Sequence, residues 1–432
     1  MEWKRDSDGK TALLIEGARR IGKSTVAEEF GKNEYETYIL IDFSTASKAT
    51  MELFDDVSDL NYIFLQLQLQ YKKDLIARKS LIIFDEVQLC PKARQAIKSL
   101  VKDHRYDYLE TGSLISIKKN VKDILIPSEE RKISMYPMDY EEFRWALGDT
   151  TTIPLLEKCF ESNKGVGEQL NRKLMRDFRL YMLVGGMPQA VKEYIETNNF
   201  RKTDSVKRDI LQLYADDFMK IDPTGKASML FNAIPSQLNK NASRYQVSSV
   251  LSDSRADGLL ELIAEMKDSK TVLVAYHAND PNIGLANNKD LNKFKLFICD
   301  TGLFTTLMFK DRDFTENTVY EKLLSDNLGA NLGYLYENVV AQILSANGND
   351  LFYHTIKNET SKHNYEIDFL ITRKNKICPI EVKSSNYKTH KSMDIFCEKY
   401  SSKILNKYLI YTKDFSKDKD IFCLPVYFTQ FI

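Results

Sequence analysis

Residues 17 to 24 read Gly-Ala-Arg-Arg-Ile-Gly-Lys-Ser, and no other stretch restricts the fold of this chain so tightly. The spacing G-x-x-x-x-G-K-S is that of a phosphate-binding loop. Gly17 and Gly22 let the backbone turn sharply. The N–H groups of the loop, from Gly17 through Ala18, Arg19, Arg20 and Ile21 to Gly22, then point inward as an anion nest. Lys23 would reach the β- and γ-phosphates, and the Ser24 hydroxyl would hold Mg²⁺. Thr25 stands in the first turn of the helix that starts there, whose positive end adds to the site. The flanks agree with this reading. Thr11 to Glu16 is a short apolar strand entering the loop. Ser24 to Phe30 leaves it as a helix, with Val26, Ala27 and Phe30 on one face.

Such a loop needs a sheet behind it. Glu36 to Phe43 reads as a second strand, and residues 57 to 77 as an amphipathic helix. Ser80 to Glu86 (SLIIFDE) is apolar on both faces, as a central parallel strand is, and ends in two acids. Asp85 would act on Mg²⁺ directly or through water, and Glu86 would polarise the attacking water. Pro91 opens a helix that runs to about His104. Tyr106 to Ser113 is a fourth strand, whose Thr111 and Ser113 are both candidates to sense a γ-phosphate; an ordinary strand-to-loop turn would look the same. Arg131 to Met138 is a fifth. Strands alternating with helices imply a parallel sheet covered on both faces. Phosphoryl transfer also gains from a cation at the transition state, for which Arg19, Arg20 and Arg131 are candidates.

GARRIGKS, LIIFDEVQ, LETGS and RKISMYPMDYEEF together resemble the ATPase domain of a large prokaryotic AAA-type family, archaeal-ATPase-like, whose members carry a C-terminal domain of formerly unknown function. That family commonly has GARQVGKT in the loop, DEIQ after the strand and PLSFEEF after the fifth strand, where Tyr136 to Phe143 (YPMDYEEF) stands here. The resemblance implies that Gln88 also lies near the nucleotide. A Gly-Arg pair usual before the fifth strand is Glu130-Arg131 in this chain.

Residues 151 to 220 are rich in helix formers, interrupted by Gly185-Gly186-Met187-Pro188. The resemblance includes this GGMP, with the later Tyr214 and Asp217, and the region reads as a helical lid. Residues 226 to 280 look like a winged helix: a helix at 229–238, a second beginning at 247–251, a third ending near 266, and a wing from the strands 271–276 and 294–299. The polar, Asn-rich stretch 277–293 between those strands reads as a mobile loop. The acidic third helix makes DNA reading by this part a minority expectation. Asp300-Thr301-Gly302-Leu303 follows, similar to a K-x-Y-x-x-D-x-G-L segment of the family.

The C-terminal stretch carries a second motif. Gly333 to Leu344 is a helix containing Glu337. Tyr365 to Thr372 and Ile377 to Lys383 alternate as strands around a Lys374-Asn375 turn. A hairpin centred there pairs Asp368 with Glu381 and Glu366 with Lys383. Two carboxylates at cross-strand range repel unless a divalent cation lies between them, and an adjacent lysine could position or activate a water. Asp, a dozen residues, then Glu-x-Lys is the motif of PD-(D/E)XK nucleases, completed by the helical Glu337. The resemblance strengthens this, since the family's C-terminal domain is similar to restriction endonucleases. Residues 356 to 408 hold eleven Lys/Arg against six Asp/Glu, with His363, Tyr387 and His390 among them. That suits a phosphate backbone, and a solvated face equally.

Lys+Arg and Asp+Glu are both 61, so net charge is silent about nucleic acid and any basic surface is local. The six cysteines are scattered without a C-x-x-C pair, which points to reduced thiols in a cytoplasmic protein. No apolar run approaches a membrane span. The expectation is therefore an α/β chain: a P-loop NTPase parallel sheet over 1–145, a helical lid over 146–222, a winged helix over 223–310 and a small restriction-endonuclease-like α/β domain over 311–432. It would bind and hydrolyse ATP with Mg²⁺ and act on DNA. Catalytic candidates are Lys23 and Glu86, then Glu337, Asp368, Glu381 and Lys383. Metal candidates are Ser24 with Asp85, and Asp368 with Glu381. The competing expectation is a nucleotide-controlled switch whose C-terminal half only binds nucleic acid or a protein. A homo-oligomer or an unidentified protein partner is compatible with both.

Overall fold

The computed structural model describes residues 1–112, 127–240, 242–251, 256–282, 284–310, 321, 323–325, 333–359, 364–384 and 389–432. Ser113, His363 and Tyr387 lie outside them. The chain forms two compact units, Met1–Tyr136 with Asp268–Lys270, and Pro137–Lys267 with Thr271–Ile432.

The first unit is built on five parallel strands, β1 (Ala12–Glu16), β2 (Thr37–Asp42), β3 (Ser80–Asp85), β4 (Asp107–Gly112) and β5 (Glu130–Ser134), in the order β2-β3-β4-β1-β5. Alternation along the strands supplies both faces. Ala12, Leu14, Ile82 and Phe84 join one buried cluster, while Leu13, Ile15, Leu81 and Ile83 join another. Each leucine, isoleucine or phenylalanine among them contributes about 1.5–3 kcal/mol on burial. This double burial is why SLIIFD reads as an unbroken apolar run. Pro91 occupies the first turn of the helix Pro91–Asp103, where its missing N–H leaves no bond unmade.

In the second unit, helices Tyr140–Ala146, Thr152–Glu161, Glu168–Val184, Pro188–Thr197, Phe200–Ile221 and Lys226–Asn239 come first. The first of them is closed by a capping box of Asp139 and Glu142. It packs inside this unit, Tyr140 lying 4.9 Å from Phe178. The compact unit that holds the parallel sheet thus ends at Tyr136, nine residues before the expected domain boundary at 145. The expected helical character of 151–220 is present.

The remaining strands form one eight-stranded mixed sheet: β6 (Val272–Ala278), β7 (Lys289–Ile298), β8 (Phe352–Ile356), β9 (Tyr365–Arg373), β10 (Lys376–Val382), β11 (Lys407–Tyr411), β12 (Ser416–Asp418) and β13 (Ile421–Pro425), in the order β12-β13-β11-β10-β9-β8-β6-β7. This corrects the expectation of a separate winged helix. The two strands read as its wing are β6 and β7. β6 pairs with β8 in parallel, so the sheet runs across the expected boundary at 310. The intended second helix is only a short turn of 3₁₀ helix at Val247–Ser249 among the described residues. The stretch read as a loop is largely ordered, because β7 begins at Lys289 and Leu285–Asn288 is a 3₁₀ turn. Local polarity could not show this, because β6 takes its second partner, β8, from some 75 residues downstream. The helix Lys391–Tyr400 buries Met393, Phe396 and Cys397 against the sheet.

Candidate functional site

Loop geometry follows from the glycines. Gly22 has φ 96° and caps the helix Lys23–Glu34. Gly17 has no room for a side chain, since a Cβ there would stand 2.5 Å from the Met135 carbonyl oxygen and strike Ile21. Arg20 is exposed and takes φ 69°, so it helps shape the loop backbone. Lys23 is buried, and its ammonium donates to the carbonyls of Gly17 at 3.2 Å and Ala18 at 2.8 Å. The loop thus holds the lysine head at the phosphate nest that its own amides form.

The acids of β3 arrive at the same place. The Ser24 hydroxyl donates to Asp85 Oδ1 at 2.7 Å, and the Thr111 hydroxyl donates to that same oxygen. Thr111, the sensor candidate among the described residues, is thus tied to the acid. Glu86 follows with a left-handed backbone, φ 53° and ψ 45°. Its N–H donates to Thr111 Oγ1 at 3.4 Å, and its carboxylate accepts from Gln88 Nε2. A non-glycine residue in that conformation is uncommon and is typical of sites that aim a side chain. Ser24 and Asp85 offer hard oxygens, the donor type that Mg²⁺ prefers alongside substrate phosphates, so the residues present fit that ion.

The arginines separate. Arg131 lies exposed on edge strand β5. Its neighbour Glu130, where the resembling family has glycine, forms a bidentate pair with Arg94, both side chains 1% exposed. Glu130 is thus a structural residue of the sheet.

In the second unit, the two motifs that the resemblance contributed meet each other. Asp300 caps the helix Thr301–Met308 by accepting from Leu303 N–H at 2.8 Å, and its other oxygen accepts from Gly186 N–H at 2.6 Å. Gly302 packs so closely on Gly185 that a Cβ would lie 2.6 Å from the Gly185 Cα. GGMP and Asp-Thr-Gly-Leu are one buried joint.

The C-terminal hairpin has the expected register. Lys374 and Asn375 both have positive φ, as a two-residue type I′ turn needs, and Ile380 pairs with Phe369. Glu337, Glu366, Asp368, Glu381 and Lys383 do come together. The contacts are not those of a metal site. Asp368 Oδ2 accepts from Val382 N–H at 2.7 Å, and Glu381 Oε1 pairs with Lys383 at 2.9 Å. Glu337 and Glu366 face Lys295 of β7, at 3.6 Å for Glu337 Oε2. Burial raises the Asp368 carboxyl well above its ordinary pKa, and Glu337 adds to this. Burial likewise raises Glu337, against the pull of Lys295. Among the described residues no three acids, histidines or cysteines are grouped to hold a metal ion. Of the oxygens expected to hold a metal, Asp368 Oδ2 and Glu381 Oε1 are engaged by the backbone and a lysine, while Glu381 Oε2 is buried without a hydrogen-bond partner. Lys295 was missed by sequence reasoning, although a lone lysine inside the apolar run FKLFIC was the available signal.

Residues 9–144 match the family model described as AAA domain. That stretch holds the loop 17–24 and the strand β3. Residues 175–313 match a domain of unknown function (DUF8612), and residues 332–428 a second (DUF4143). No curated protein matches the chain. Among solved structures the chain is similar to the ORC1 protein of Aeropyrum pernix in complex with DNA, at 12% identity and a TM-score of 0.27, over 73% of this chain and 87% of that one. It is also similar to a signal transduction ATPase with numerous domains and a tetratricopeptide repeat sensor from Pyrococcus horikoshii, at 11% identity and a TM-score of 0.26, over 80% of this chain and 44% of that one. No helix among the described residues is long and apolar enough to cross a membrane. None of the six cysteines is in a disulfide.

Proposed function

We propose that the AAA domain hydrolyses ATP and that the C-terminal unit is its output, binding nucleic acid or a protein. The observation that carries the first part is the convergence of Ser24, Asp85 and Thr111 on one carboxylate oxygen beside Glu86. Gly17 to Gly22 bind the triphosphate through backbone N–H groups, and Lys23 places a positive charge against its β- and γ-phosphates. Ser24 and Asp85 would hold Mg²⁺, which supplies neutralisation of phosphate charge when bound. Glu86 accepts a hydrogen bond from the attacking water and aligns it with the γ-phosphorus, while Gln88 holds the Glu86 carboxylate in place. Thr111 keeps Asp85 oriented.

For the output, the excess of Lys/Arg over residues 356–408 supports a polyanionic partner, DNA in the first instance. The retained Glu-x-Lys favours cleavage in the sequence, whereas the contacts of Asp368 and Glu381 favour binding alone.

The deciding measurement is phosphate release from ATP, with and without DNA, by the full chain and by Glu86→Gln. Hydrolysis lost in the variant supports the enzyme, and stimulation by DNA supports DNA as partner. Tight ATP binding without turnover in the parent overturns hydrolysis and leaves a nucleotide-controlled switch.

A further inference from the structure

The acidic cluster of the C-terminal sheet contains a cation of its own. Lys295 lies in β7 between Phe294 and Leu296 and is 5% exposed. Its Nζ stands 3.6 Å from Glu337 Oε2, is paired with Glu366 Oε1, and lies 5.5 Å from the centre of the Tyr353 ring. Burying an ammonium is unfavourable unless carboxylates face it closely. Here burial works against the charged form, but Glu366 and Glu337 override it and hold the lysine pKa above its ordinary value. The second lysine, Lys383, is committed to Glu381. Four acids thus share two ammonium groups, and Lys295 is the one that reaches both the helix carrying Glu337 and the strand carrying Glu366. Of the cluster's oxygens, Glu381 Oε2 is buried without a hydrogen-bond partner; a chelate needs several such oxygens.

We propose that the Lys295 ammonium fills, among Glu337, Glu366 and Asp368, the electrostatic place a divalent cation would take, so that the C-terminal domain works as a metal-free module and a neutral residue at 295 opens a divalent-cation site. Carboxylates at this density are the donors that Mg²⁺ and Mn²⁺ select. β7 is a terminal strand of the sheet, and substituting its side chain leaves the backbone ladder with β6 intact. The inference does not depend on ATP hydrolysis.

The test is Mn²⁺ binding to the full chain without nucleotide, followed by electron paramagnetic resonance. All proteins carry Ser24→Ala, so that the P-loop offers no hydroxyl ligand. Four are compared: that background alone, and with Lys295→Met, Asp368→Asn, or both. The expected result is that Asp368→Asn changes nothing in the background, whereas Lys295→Met gains a site that the double variant loses. The gain in affinity should be on the order of ten- to a thousandfold, the span by which one adjacent charge alters an ionic equilibrium. A folded Lys295→Met with no gain overturns the proposal. So does Mn²⁺ binding in the background that Asp368→Asn abolishes, and that pair of proteins decides the matter even where Lys295→Met fails to fold.

Discussion

The Ser24 hydroxyl donates to Asp85 Oδ1 at 2.7 Å, joining the end of the phosphate loop to a strand 61 residues further along the chain. Ser24→Ala removes the hydroxyl proposed to hold Mg²⁺, together with this one hydrogen bond. Ser24→Ala should weaken Mg²⁺–ATP binding by at least about tenfold, the scale seen when even an outer partner of a metal is lost. Its stability should fall by no more than about 0.5–1.5 kcal/mol, the net worth of one hydrogen bond. Calorimetric titration with ATP, in magnesium and in chelator, checks this. Equal magnesium dependence in parent and variant would remove Ser24 from the site.

Gly17 lies against the Met135 carbonyl oxygen, and that oxygen belongs to backbone and cannot swing away. Gly17→Ala should destabilise the AAA domain by about 1–3 kcal/mol, the usual penalty for overpacking. It should lose nucleotide binding as well, since the loop amides must shift. Urea denaturation and ATP titration report the two effects separately.

Arg94 and Glu130 are a buried bidentate pair. Glu110 lies nearby with both carboxylate oxygens buried, and burial, with Glu130 beside it, raises its pKa well above the ordinary range. Glu130→Ala should therefore cost about 3–5 kcal/mol, while the double change Arg94→Met/Glu130→Leu should recover most of it. Denaturation midpoints of the two proteins test this; equal losses would mean that the pair, and not the stranded charge, matters.

Asp300 joins the start of the helix Thr301–Met308 to Gly186. Asp300→Ala removes a cap worth about 1 kcal/mol and strands the Gly186 amide for about 1–3 kcal/mol more. The expected loss is one of stability in the second unit, with ATP binding unchanged. A drop in nucleotide affinity at full folding would instead make the joint a functional element.

His354 is buried, with Nδ1 placed to donate to the Ala278 carbonyl at 2.7 Å and its ring stacked 5.3 Å from His277. Burial lowers its pKa to about 4, and the neighbouring His277 and Lys399 add to this against the Ala278 contact. Between pH 6.5 and 4 the unfolded chain binds a proton here that the folded chain does not. Stability is then full above the unfolded value and is lost as pH falls through this window, by up to about 3 kcal/mol from this one group. His277 is lowered too and works in the same direction. The difference between parent and His354→Phe in denaturation midpoints, followed from pH 7 to 4, should carry that slope. Parallel curves would show that His354 titrates normally.

What the sequence by itself determined is local. The loop 17–24, the strand before it and the helix after it are written in consecutive residues, because glycine freedom and helix-end charge act within a few positions. The same holds for β3, whose unbroken apolar run states that both its faces are covered, and for the β9–β10 hairpin, whose register follows from the Lys374-Asn375 turn. What only the tertiary structure decided depends on distant partners. β6 and β7 looked like a wing because a short antiparallel pair has the same pattern wherever it docks; its place in the sheet is set by the pairing of β6 with β8, a strand some 75 residues away. The bond from Asp300 to Gly186 spans 114 residues. Lys295 reaches Glu366 across 71 residues of chain, and this contact turns a motif that reads as a metal site into one neutralised by an ammonium. Spacing along a chain specifies which side chains share an element, and charge balance inside a fold depends on which elements are brought together.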